Sequence, residues 1–552
     1  MIAVLSWRGI DSMTRAQQLT QQHGDQVLAL QAGLAQWRAD LDALMSWPAA
    51  PAAPGQPPAA TPASQRSLAW DGRTLRITRS DAGDAAAGLR VVAWTRQPAS
   101  GQWLRWQSPP LTSQAAWAAA WDAAGRWGQA GGDGAPAGGA SVVVVARALD
   151  WQLHYFRNNA WTHPLSSGAE SGSATHVLPD GVRLFLDAGA GPGAGRAAGA
   201  GLGAAGLRGR LMKRRPLARH GARAARRRTG GAPQRGAALL MAMLTVALVA
   251  TLAAGALWRQ WRGVEVEGAE RARAQSAWIL SGALDWSRLI LDGDLRESGL
   301  VDHLGEPWAV PLAEARLSTF LAAGESSTDT DREAFLSGQI TDLQSRLNIM
   351  NLVTGDGHAQ SNALLRFARL FELLGLPAAE LGALQRNLAR AQAAMAGTEG
   401  GDAPLLPRRF EQLAWLGLPP ATLAALRPYA TLLPTNGSEP TRVNLNTASA
   451  QAIYAAVPEL DLAAAQRLVA ARERGHFKDV GSALALVTRP GAGAPDTSAL
   501  AVGSQFFEVR GRLRLDQLAL EEVSVVQRDP GTRKTRTLWR ERRALGAPAA
   551  GG

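Results

Sequence analysis

The sequence predicts an α+β chain built as two successive units, each a long N-terminal helix followed by a strand-rich head, with an all-helical module inserted in the second head. Three observations predict it. An uncharged run of 22 residues, Ala237 to Trp258, lies near the middle of the 552-residue chain. Short alternating strand patterns occur on both sides of it, and between Ser361 and Val487 the apolar period changes to that of helices before strands return.

The first unit opens with Leu19, Val27, Leu30, Leu34, Trp37, Leu41 and Leu44 at mostly three- and four-residue steps, which predicts an amphipathic helix to about Met45. Five apolar or small residues precede Ser6, too few to anchor this helix in a bilayer. A Pro/Ala-rich linker follows from Pro48 to about Pro62. From Ser67 to Asp187 the chain reads as strands: Leu75-Arg-Ile-Thr, Leu89-Arg-Val-Val-Ala-Trp, Gln102-Trp-Leu-Arg-Trp, Val142 to Val145, Trp151 to Phe156, and Val182-Arg-Leu-Phe-Leu.

Residues 188–236 are Gly/Ala-rich and carry 12 Arg and Lys with no acidic residue, among them Lys213-Arg214-Arg215 and Arg226-Arg227-Arg228. That block equals the whole formal charge of +12. A basic block abutting an apolar helix is a membrane-topology signal before it is a nucleic-acid surface. The 237–258 run, at about 1.5 Å per residue, covers roughly 33 Å and suffices to cross a bilayer. The predicted topology is a single pass through a membrane, N-terminus in, with the following head on the far side; the resemblance described below implies the inner membrane and the periplasm. No cysteine occurs, which removes disulfides, thiolate nucleophiles and Cys-based metal sites.

Beyond the run the helix is predicted to continue to Asp292, on the order of 80 Å in all. A strand region at 300–355, a helical module at 360–490, C-terminal strands at 503–530 and a tail at 531–552 complete the reading. The helices of the module are placed at Leu364 to Leu374, Leu381 to Met395, Phe410 to Leu416, Leu423 to Leu426, Ala448 to Val457 and Leu462 to Arg474.

At the membrane junction, basic residues lead to Gly236 and directly into the apolar helix, whereas a secretory signal places its cut after the apolar core. This resembles the processing site of type IV pilins and pseudopilins, and the resemblance implies cleavage by a prepilin peptidase between Gly236 and Ala237. Met212-Lys-Arg-Arg opens a stretch of 25 residues ending at Gly236, the length of a prepilin leader, and marks Met212 as a possible true start. Pro307-Trp308, Arg346-Leu-Asn348-Ile-Met-Asn351, Val443-Asn-Leu-Asn446-Thr and Ser504-Gln-Phe-Phe507 resemble minor pseudopilin K of type II secretion over about residues 212–530. Trp7-Arg8-Gly9, the Leu89 strand, Leu153-His-Tyr-Phe with Trp161, and Leu178-Pro-Asp-Gly-Val-Arg-Leu resemble minor pseudopilin J over about 4–188, here truncated and fused ahead of the K-like unit.

The resemblance implies a tip subunit of the pseudopilus, serving export of folded proteins across the outer membrane. Its partners would be I- and J-like minor pseudopilins, the major pseudopilin and the peptidase, with no substrate turned over. The fifth residue after the cut, Glu in most pseudopilins, is Met241, which suits a subunit with nothing above it. An N-in helix also leaves residues 1–236 in the cytoplasm, away from the compartment where a J-like head works, so a gene fusion or a discarded first half is expected.

Val443 to Lys478 also resembles the helix-hairpin-helix of DNA-uptake proteins, the alternative function. Its turn, Pro458-Glu-Leu-Asp461, is acidic and lacks Gly, so a structural hairpin is the stronger reading, with Asn444 and Asn446 as turn and cap residues. The acidic stretches Asp292-Gly-Asp294 and Asp329-Thr-Asp331-Arg-Glu333 offer oxygen ligands of the kind that bind Ca²⁺, without EF-hand spacing. No other cofactor is implied, and the histidines form no metal or nucleophile motif.

Overall fold

The computed structural model describes residues 2–45, 67–81, 86–134, 138–157, 159–166, 178–188, 199–200, 235–297, 299–316, 334–354, 358, 360–395, 401–435, 439–488, 495–515, 518–529 and 531–545. It divides into a unit of Met1–Leu202 with Ala283–Gly552 and a second unit, Gly203–Gly282. Helices and antiparallel sheets together make an α+β protein, as the sequence predicts.

In the larger unit, helix α1 (Ile2–Asp42) sets Trp37 against a five-stranded antiparallel sheet in the order β1 (Leu68–Trp70), β2 (Thr74–Ser80), β3 (Leu89–Gln97), β4 (Gln102–Gln107), β5 (Ser141–Arg147). Strands β2, β3 and β4 are buried on both faces, and alternation decides which residue goes where. Val92, Trp94 and Trp103 face Trp37 and the second sheet, whereas Val91, Ala93, Leu104 and Trp106 face helix α2 (Gln114–Gln129). That helix lies inside a region the sequence predicts as strands alone. Its stripe of Trp117, Trp121, Ala124 and Trp127 is helical in spacing, but its Ala- and Gly-rich context reads as a turn. A smaller sheet holds β6 (Asp150–Arg157) between β7 (Ala160–Thr162) and β8 (Gly181–Asp187), with the short β9 (Gly199–Ala200) beyond β8.

Asp40, fully buried near the end of α1, accepts from Arg79, from Arg105 Nε at 2.8 Å and from Trp94 Nε1 at 2.8 Å. It pins the helix to β2, β3 and β4.

Helix α3 (Arg235–Glu297) supplies the described part of the smaller unit up to Gly282. Among the described residues no helix is long and apolar enough to cross a membrane; much of the 237–258 run has its side chains outside them. From Ala283 onward α3 belongs to the larger unit. There Leu284 and Leu291 pack with Trp308, Ile340, Phe507, Val509 and Val526.

Ile340, Phe507, Val509 and Val526 belong to a second antiparallel sheet in the order β10 (Leu312–Arg316), β11 (Ala334–Asp342), β16 (Phe506–Leu515), β17 (Leu518–Asp529), β18 (Lys534–Leu545), and Trp308 sits in a 3₁₀ turn beside it. The predicted tail is therefore in part an edge strand. Its run Lys534-Thr-Arg-Thr-Leu-Trp-Arg-Glu-Arg-Arg looks like a solvated tail because an edge strand carries charge.

Between β11 and β16 the chain leaves the sheet for a helical module with its own apolar core. It contains α4 (Ser361–Leu373), α5 (Ala378–Met395), α6 (Pro420–Leu426), α7 (Ala450–Ala456), α8 (Leu462–Arg474) and α9 (Val480–Ala485). Two-residue parallel bridges join β12 (Leu347–Asn348) to β13 (Ala430–Thr431) and β14 (Val443–Asn444) to β15 (Leu500–Ala501). The strand predicted from Ser337 to Leu352 ends at Asp342 and gives way to two 3₁₀ turns, Leu343–Ser345 and Ile349–Leu352, opened by the Asp342 and Asn348 side chains, each of which captures the N–H two residues on. Local Asx bonding thus overrides alternation.

Candidate functional site

Three of the four motifs that the sequence singles out in the second half, those at Pro307-Trp308, Val443-Asn-Leu-Asn446 and Ser504-Gln-Phe-Phe507, converge on one buried polar junction, where the end of α3, the sheet and the helical module meet. Asp342 closes β11 with its carboxylate inside. One oxygen accepts from Gln344 N at 2.7 Å; the other accepts from Ser504 Oγ at 2.6 Å, Thr447 Oγ1 at 2.5 Å and Asn444 Nδ2 at 3.1 Å. Asn444 Nδ2 also lies 3.1 Å from the Asp302 carbonyl and 2.9 Å from Ser504 Oγ. Burial pushes the Asp342 carboxyl above the usual range, against these hydrogen bonds.

Beside it, the guanidinium of Arg528 on β17 is 1% exposed. It donates to Asp294 at 2.8 Å, to Asp302 and to the Ser504 carbonyl at 2.8 Å, and it stacks 4.6 Å from the Phe507 ring. Asp302 accepts in addition from Ser504 N at 2.6 Å. Burial pushes the Asp302 carboxyl up to about 7, although Arg528 and the Ser504 N–H pull it down. Trp308 donates to Glu306 at 2.6 Å and meets Phe507 edge to face at 5.2 Å.

Three asparagines do the same work for irregular backbone. An amide side chain carries the donor and acceptor of a peptide group and stands in for a missing strand neighbour. Asn351 brackets Thr441, accepting from its N–H at 2.9 Å and donating to its carbonyl at 2.8 Å. Asn446 does so for Phe477 at 2.8 and 3.0 Å, and Asn348 for Leu433 at 2.9 and 3.0 Å. Asn444 makes the expected turn, its Oδ1 accepting from Asn446 N at 3.0 Å, but Asn444 and Asn446 are buried ties and not helix caps. The caps of α7 and α8 are Ser449 and Asp461.

Asp302, Asp342, Thr447 and Arg528 were not legible as site residues, because isolated acids and bases carry no spacing signal. The Asn pairs at i,i+2 and i,i+3 within apolar runs were the available clue.

The carboxylates of Asp294, Asp302 and Glu306 place oxygens within 4.8 Å of one another, the group most able to hold a cation among the described residues. Arg528 already supplies positive charge to two of them. Asp292 and Asp294 lie in the last turns of α3 and not in a loop, and two residues apart they face different ways. Asp292 accepts from Thr535 of β18, and Asp294 pairs with Arg528. Asp329, Asp331 and Glu333 lie outside the described residues. Gly236, Ala237 and Met241 fall in the first turns of α3, with side chains outside the described set.

An open cavity of about 520 Å³ adjoins the junction, between Leu295 and Leu300 on one side and Arg442, Lys478 and Phe506 on the other. The junction side chains use their hydrogen bonds inside the chain. What this arrangement does is fix geometry.

A helix docked on an antiparallel sheet, with a helical module spliced into that sheet and tied back to the helix by buried polar groups, defines a stalk-and-head subunit of pseudopilin type. The first-domain model described as type II secretion system protein K matches residues 345–435, and a second model of that description matches 443–503. Type II secretion system protein K of Klebsiella pneumoniae is 30% identical over 338 residues, covering 54% of this chain and 97% of the relative. That of Pseudomonas aeruginosa is 29% identical over 317 residues, covering 53% and 89%. The chain belongs to the type II secretion system protein K family, and its role is that of a minor pseudopilin in type II secretion. This family is a structural component of the secretion machinery. A chain of the GspK–GspI–GspJ complex of enterotoxigenic Escherichia coli covers 50% of this chain and 98% of itself, at 17% identity and a TM-score of 0.36, too low to carry a structural argument.

Proposed function

We propose that the working protein begins at Ala237, after prepilin-peptidase cleavage behind Gly236. The 237–258 helix then anchors it in the inner membrane, and its head stands in the periplasm at the tip of the pseudopilus. There it assembles with I- and J-like minor pseudopilins above the major one. Met241 in place of Glu suits a subunit with nothing above it to contact. The observation that carries the reading is the polar junction: it ties the helical module to the stalk end and the sheet, as a cap that must move with its stalk requires. Residues 67–187 are read as a J-like head joined by gene fusion.

The DNA-uptake reading is disfavoured by the hairpin itself. Arg472 of α8 points inward and donates to the carbonyls of Leu445 at 2.7 Å and Ala448 at 2.5 Å, and Asp461 occupies the N-terminus of α8. A phosphate would meet a carboxylate where it needs free N–H groups.

The test is the N-terminal residue of the membrane-bound product in cells with and without active prepilin peptidase. The proposal expects a peptidase-dependent start at Ala237, blocked by Gly236→Arg. An intact start in both strains would overturn it.

A further inference from the structure

The N-terminal head and the helical module meet along an extended strap. Gly401-Asp-Ala-Pro-Leu405 runs alongside residues 112–115, forming a bridge between Ser113 and Pro404. The strap closes three backbone hydrogen bonds: Leu405 N to the Thr112 carbonyl at 2.9 Å, Gln114 N to the Ala403 carbonyl at 2.9 Å, and Ala115 N to the Gly401 carbonyl at 3.1 Å. Gln114 and Ala115 open α2, and their N–H groups are among those a helix cannot satisfy internally. Ser113 caps only the N–H of Ala116. The strap carbonyls supply two of the missing acceptors.

Side chains add selectivity. Leu405 is fully buried, and it sits in the core of the N-terminal unit with Leu89, Leu111 and Trp117, not in that of its own module. Trp415, from the helical module, donates Nε1 to the Ala86 carbonyl at 2.8 Å. Backbone pairing gives affinity and one deep apolar side chain gives register, the logic of peptide recognition by strand addition.

We infer that this contact is an autonomous docking site: a groove on the N-terminal unit that reads an extended Ala-Pro-Leu segment of the helical module, and that holds the two halves together without the covalent link.

The test inserts a specific protease site after Gly206 in the full chain, cuts it, and asks whether the halves co-elute in detergent. The inference expects the halves to remain together. Trp415→Phe, which keeps an aromatic ring but loses the Ala86 bond, weakens reassociation by roughly tenfold. Leu405→Asp separates the halves on cutting, and an excess of the peptide spanning 401–407 displaces the strap. Separation of the unmodified halves on cutting, or unchanged affinity in Trp415→Phe, overturns it. Failure of this docking would leave the peptidase-dependent start at Ala237 untouched, and the reverse.

Discussion

Replacing Arg528 with Met tests the polar junction where it is most exposed to failure. The substitution keeps an apolar stem of similar reach against Phe507 and removes the charge from a side chain that is 1% exposed. Asp294 and Asp302, 7% and 2% exposed, are left without their cation. Breaking a buried pair from one side costs about 3–5 kcal/mol, against a domain stability of roughly 5–15 kcal/mol. The cost should depend on pH. Asp302 already titrates near 7 with Arg528 present, and removing the cation raises it further. At pH 6 the variant's Asp302 is neutral and its burial is tolerated; at pH 8 part of the protonation free energy, about 1.4 kcal/mol per unit, is added to the loss. Urea denaturation at pH 6 and pH 8, followed by hydrogen exchange of the amides of residues 506–529, reads both effects. A loss under about 1 kcal/mol, or one equal at the two pH values, would refute the assignment of Arg528 as the counter-charge of the junction.

Other perturbations are read in the same way. In the parent chain the raised Asp302 pKa means that folding takes up a proton between the ordinary value of 3.8 and about 7, so its contribution to stability falls as pH rises through that window. Asp302→Asn should flatten this slope, measured as the urea midpoint from pH 5 to 7.5. Gly503→Ala places a Cβ 1.9 Å from the Leu300 carbonyl, which backbone must move to relieve; a cost of about 1–3 kcal/mol is expected, and a thermal midpoint equal to the parent's would contradict it. Asp40→Ala leaves Arg79 and Arg105 buried without their acid, and should cost about 3–5 kcal/mol in the N-terminal unit while leaving exchange in residues 506–529 unchanged.

Much of the architecture was legible because apolar spacing alone decides it. In α5, Leu381, Leu384, Leu388 and Ala391 recur at helical steps, and β3 alternates Val91 and Ala93 against Val92 and Trp94. What escaped is what depends on distant partners. Asp40 and Asp294 are acids near the ends of their helices, and each is neutralised by strand arginines that lie 39 and 234 residues away. No local pattern announces such a pair. Trp308 and Asn444 stood out as motif residues, yet their role appears only when Phe507, Asp342 and Ser504 are brought to them by the fold. Likewise β18 was hidden by its arginines, two of which, Arg540 and Arg542, pair across to Glu522 of β17.

The central claim is that a stalk released at Gly236 carries a rigidly tied head into the secretion machinery. Its most direct test is secretion of a folded protein across the outer membrane in cells lacking their own protein K, supplied with residues 212–552 of this chain. The account predicts that this segment restores secretion and that the same segment with Gly236→Arg does not. Equal restoration by the uncleavable variant would contradict it.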